Sequence, residues 1–225
     1  MRKNLVETLL PVWNMSQNEL SDVIRWGPYV EKNPKVWKQS TLQHTLSFSI
    51  VANVCVKLLK KHVKLDESLI QTAFMIHDLG EGLTRRDITA DNKKDEDDLE
   101  EYEAFKKAFD FLPEQIFTQY QKAFLLQFAW KNPECFPYAE KILMGQLNAN
   151  FQNEVLTFRA LESWEYIFYP LEMYKQGVDD GLLVRVLERQ LPVLKFMALT
   201  LPGFRAEIFT YEFEKLMSNH VKDNR

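Results

Sequence analysis

Two cysteines, seven glycines and nine prolines are spread over 225 residues. Cys55 and Cys135 form no metal-type spacing, and such sparing use fits a reducing compartment. So few glycines and prolines supply few tight turns, which disfavours a β-sandwich or barrel. Strand-like alternation is almost absent. No apolar run approaches the length of a membrane span. The N-terminus carries Arg2, Lys3, Leu9 and Leu10, but Glu7 and Pro11 interrupt it and make it a poor signal peptide. The expectation is a cytoplasmic chain that meets no membrane. Positive charge is also lacking. A formal net charge of −4 leaves no basic footprint for a nucleic-acid polymer, while a small anionic substrate stays open. There is no glycine-rich phosphate loop, no CxxC and no convincing serine triad.

What is present is apolar and helical. Hydrophobic residues make up 46%, with 16 Phe, which excludes general disorder. A chain of this length buries a core without staples. Ser16 and Glu19 have capping-box spacing and predict a helix carrying Leu20, Val23, Ile24 and Trp26. Residues 27–39 read as irregular. Ser40 and Gln43 repeat the capping-box spacing before a helix to about Lys61. Asp66 predicts the cap of a third helix, which Gly80 stops. The acidic run Asp95–Glu101 opens another helix. Further helices are expected from Pro113 to about Trp130, from about Glu154 to Gln176 with a break or kink at Pro170, over about 183–199 and over about 204–219. The expected fold is all-α, one domain over 1–225, with a core at about 16–176 and a helical extension at about 177–220.

Only four histidines occur. His62 lies in a basic helix end and His220 in a polar tail. His44 and His77 lie on apolar stripes of two different helices. One buried histidine alone reads as a core residue bonded to a backbone carbonyl. Asp78 changes that balance, because an ionised aspartate is rarely buried without a partner. A divalent cation satisfies an imidazole and a carboxylate together.

The order Gln43-His44, then Met75-Ile76-His77-Asp78-Leu79-Gly80-Glu81, then a late acidic residue, resembles the HD-domain phosphohydrolase superfamily. The resemblance spans roughly residues 20–176. Within it, Arg25-Trp26 ahead of His44, His77-Asp78-Leu79-Gly80-Glu81 and the loop Gly82–Asp87 are similar to the bacterial 5′-deoxynucleotidases and their eukaryotic HD-domain relatives. The spacing from Glu81 to Asp87 is one residue longer here. The resemblance implies an HD-domain helical bundle holding one divalent metal through His44, His77, Asp78 and Glu162. Glu162 stands where the family carries aspartate, and Glu165, one turn on, is the alternative for that position. Mn, Co, Zn, Fe, Ni and Mg are not distinguished. It also implies Asp87 and Glu81 as catalytic groups, and Arg25, Trp26 and Thr84 as substrate contacts. The implied activity is hydrolysis of nucleoside 5′-monophosphates. The alternatives are another phosphoester, such as a guanosine alarmone or a cyclic nucleotide, or a degenerate HD fold kept as a regulatory module. The implied partner is a small phosphorylated substrate, with a homodimer as an open option.

Overall fold

The computed structural model describes residues 10, 13–32, 37–86, 88, 92–131, 133–178 and 181–224. It is 76% helical, and no strand occurs among the described residues. A π-helical turn α1 (Met15–Glu19) runs into α2 (Leu20–Asp22). The elements that follow are α3 (Gly27–Lys32), α4 (Thr41–Leu59), α5 (Glu67–Ile76), α6 (Leu79–Thr84), α7 (Asp95–Phe109), α8 (Glu114–Ala129) and α9 (Tyr138–Asn150). The chain ends with α10 (Gln152–Glu165), α11 (Phe168–Lys175), α12 (Leu182–Thr200), α13 (Phe204–Glu207) and α14 (Tyr211–Asp223).

Helix α4 begins where the sequence says it should. The Ser40 hydroxyl accepts from Gln43 N–H at 3.2 Å, and Gln43 Oε1 accepts from Ser40 N–H at 3.0 Å, so two orphan donors of the first turn are satisfied. Asp66 caps α5 by accepting from Leu69 N–H at 3.0 Å. Helix α4 packs against α5 and α10, and α5 packs against α8 and α10. Phe48, Phe74 and Phe158 fill the space between α4, α5 and α10, with Phe48 and Phe74 at 4.7 Å and Phe74 and Phe158 stacked at 5.1 Å. These aromatic contacts surround the histidines and hold their rings. Helix α12 covers α10, and α14 covers α12.

Several sequence expectations need correction. The first predicted helix ends at Asp22, and Val23 is already extended. Ile24 forms an isolated bridge to Ser40, while Arg25 N–H donates to Gln39 O and Thr41 N–H to Val23 O, both at 2.9 Å. The β-branched pair Val23-Ile24 suits this extended pairing. The Ser16 capping contact lies outside what is described. Residues 27–32, expected to be irregular, form α3, because proline is tolerated in a first helical turn. Gly80 does not stop α5. That helix ends at Ile76, and Gly80 lies inside α6, where a Cβ would meet Glu101 Cβ at 2.5 Å. Helix α9 was missed. Pro170 sits in the first turn of α11, and α12 runs through Pro192. Helix α4 is also long and apolar enough to cross a membrane by length and composition, contrary to the reading of its sequence. Its inner face carries His44 and Thr45 and packs on other helices.

Candidate metal centre

The break between α5 and α6 creates the site. The backbone leaves the α5 helix at His77, and Asp78 sits at φ −90°, ψ 6°, a sparsely populated region that active-site residues often occupy. The freed His77 carbonyl accepts from Gln127 Nε2 of α8 at 3.1 Å. Both side chains therefore project from one turn toward α4.

His44, His77 and Asp78 each bring a ligand atom within 4.8 Å of the others. His44 Nε2 and His77 Nε2 both lie 3.2 Å from Asp78 Oδ2. Ligands about 2.0–2.1 Å from one ion stand roughly 2.8–3.4 Å apart in octahedral to tetrahedral geometry, so the spacing fits a small divalent cation. The tautomers fit as well. His77 Nδ1 sits 3.0 Å from Phe74 O, so it donates there, and Nε2 faces Asp78 as the nitrogen a metal would take. His44 Nδ1 lies 3.1 Å from Glu165 Oε1, off hydrogen-bond alignment and without another partner among the described residues.

All three groups are buried. Arg25 is only 4% exposed, and its Nη1 donates to Asp78 Oδ2 at 2.8 Å and to Glu81 Oε2 at 3.5 Å. Burial opposes charge on Asp78, but the His77 and Arg25 charges and hydrogen bonds from both imidazoles hold its carboxyl well below the usual range. Burial and Arg25 oppose charge on His44, yet Glu165 and Asp78 outweigh them and raise its pKa to about 9.

Trp26 adopts φ +60°, a strained value for a bulky residue. Its ring stacks on Tyr169 at 5.5 Å and meets Tyr166 edge-on at 6.1 Å. The Arg25 guanidinium lies over the Tyr166 ring at 5.8 Å. An anchored cation and an aromatic group thus stand beside the three ligands.

The remaining expectations divide. Glu81 is buried beside Arg25. The Thr84 hydroxyl donates back to Gly80 O and Glu81 O at 3.0 and 3.3 Å, so the structure engages it with its own helix. Asp87 lies outside the described residues. Glu162 is not brought to the cluster; its carboxylate accepts from Arg159 at 3.0 Å. Glu165, expected only as the alternative to Glu162, and Tyr166, which was not expected, complete this neighbourhood. The seven-residue step from Phe158 to Glu165 along one helical face was the available signal for Glu165; Tyr166 had none. Lys93, between α6 and α7, is clamped by Glu101 at 2.9 Å and Asp98 at 3.3 Å.

A sequence model of the HD domain matches residues 19–156, more than half of the chain. Comparison with curated proteins and with solved structures finds no match. The matched segment contains Arg25, His44, His77, Asp78 and Glu81, and the chain therefore belongs to the HD-domain family, whose members are generally metal-dependent hydrolases.

Proposed function

We propose that this protein is a phosphomonoesterase acting on nucleoside 5′-monophosphates with one divalent metal at His44, His77 and Asp78. The observation that carries this reading is the buried guanidinium of Arg25 held against Asp78 at the edge of the three-ligand cluster. A phosphate monoester is a compact dianion, and it needs positive charge on more than one side.

A divalent metal bound there supplies Lewis acidity, polarising a phosphoryl oxygen and acidifying water. Arg25 offers a planar fork of donors to the phosphate oxygens. Asp78 and Glu81 hold that fork in place until substrate arrives. Glu81 orients water or substrate, and Asp87 takes the proton of the attacking water. Trp26, backed by Tyr169 and Tyr166, offers an aromatic face to sugar or base. Phe48 and Phe158, packed at 5.4 and 5.7 Å against His77, exclude water from the rear of the site.

The test is phosphate release from a panel of nucleoside 5′-monophosphates, guanosine alarmones and cyclic nucleotides with Mn2+, Co2+ or Mg2+. Turnover of monophosphates above that of His77→Ala is expected. Turnover confined to another class relocates the substrate, and none above the control sinks the reading. One observation favours a second reading. Asp78 already accepts from Arg25, so the cluster is partly charge-balanced by the protein itself, as a metal-free regulatory module requires. Failure to take up any divalent metal would favour that module.

A further inference from the structure

Helix α10 faces the His77–Asp78 turn with an apolar ring and one carboxylate. Phe158, 1% exposed, sets its ring edge-to-face against His77 at 5.7 Å. Seven residues on, almost two turns, Glu165 comes within 3.1 Å of His44 Nδ1. The side chains of this pair are 3% and 9% exposed. Glu162 projects differently: its side chain is 19% exposed and pairs with Arg159 on its own helix.

Both histidines therefore keep one ring nitrogen beside an outer oxygen, Phe74 O for His77 and Glu165 Oε1 for His44. Each turns its Nε2 toward Asp78. An outer oxygen that fixes ring orientation and tautomer also raises the basicity of the ligating nitrogen. The His44 Nδ1 contact is short but not aligned.

We propose that Glu165 is the positioning residue for His44, and that α10 serves the metal centre through this carboxylate rather than through Glu162. The centre then has three protein ligands, with its other positions open to water and phosphate. This rests on the reading that the cluster holds a divalent metal, and the experiment separates the two claims.

Mn2+ binding is measured by calorimetry on metal-stripped wild type, Glu165→Met, Glu165→Gln and Glu162→Ala. Glu165→Met keeps volume but offers only a weak thioether acceptor, and Glu165→Ala is the acceptor-free variant should it fail to fold. Loss of an outer-shell partner typically weakens metal binding about 10–100-fold, and that loss is expected for Glu165→Met. Glu165→Gln, which retains an oxygen, should recover most of it, and Glu162→Ala should stay near wild type. Wild-type affinity in Glu165→Met, or a larger loss in Glu162→Ala, overturns the proposal. If wild type binds no Mn2+, the metal reading fails by itself. Crystal structures of metal-free wild type and Glu165→Met then decide the positioning claim. A His44 ring turned from Asp78 only in the variant upholds it, and an unmoved ring overturns it.

Discussion

Replacing Arg25 by methionine probes the electrostatics of the centre. The guanidinium is buried, with Nη1 2.8 Å from Asp78 and 3.5 Å from Glu81. Methionine fills much of the volume but leaves two buried carboxylates without this cation. Removing one partner of a buried ion pair costs about 3–5 kcal/mol. Imidazoles 3.2 Å from Asp78 on two sides offset part of the loss, so the lower end, about 3 kcal/mol, is expected. At about 2–4 °C per kcal/mol for a chain of this size, melting should fall by about 6–12 °C in chelator. Saturating Mn2+ supplies positive charge at the same carboxylate and should recover part of that loss. Phosphate release should be lost even with metal restored. The assay is thermal melting in chelator and then in Mn2+, for wild type and Arg25→Met. A variant that melts with wild type in chelator would refute the paired, buried guanidinium.

Gly80→Ala places a Cβ 2.5 Å from Glu101 Cβ and 3.1 Å from its Cα. Backbone blocks relief, so a loss of about 1–3 kcal/mol in denaturant unfolding is expected; an unchanged midpoint would contradict that close approach of α6 and α7. Burial pushes the Cys55 thiol up to about 11, so Cys55 should resist a thiol reagent at pH 8 until denaturant is added, as mass spectrometry of the labelled protein will show. Burial raises the Glu214 carboxyl, but Arg205 and Lys195 outweigh it and hold it below the usual range. A lowered folded pKa means the unfolded chain binds more protons. The stabilisation is complete above the ordinary value of 4.5 and drains as pH falls through the folded one. Glu214→Gln should therefore melt below wild type at pH 7, with the gap closing toward acid; a constant gap would contradict the pairing.

The helix starts at Ser40 and Asp66 were legible because the capping bond is local. The start at Thr210, which accepts from Phe213 N–H at 3.2 Å, is equally local and was overlooked within a single expected helix. His44, His77 and Asp78 were legible because polar groups on apolar stripes demand partners. The turn at Arg25-Trp26 was not, since its extended pairing to Gln39–Thr41 joins segments with no shared periodicity. Gly80 was misread because its cause, the Glu101 side chain from α7, is remote in sequence. The choice between Glu162 and Glu165 also depended on helix rotation. Three residues turn the carboxylate far enough for one to meet Arg159 and the other His44, and tertiary packing, with Phe158 against His77 and Phe74, sets that rotation.

Everything proposed for this chain depends on where a divalent metal settles. The most direct measurement is anomalous diffraction from a crystal equilibrated with Mn2+. The expected result is one strong peak among His44 Nε2, His77 Nε2 and Asp78, absent in His77→Ala. No peak there, or a peak held by Glu162 without His44, would contradict the account.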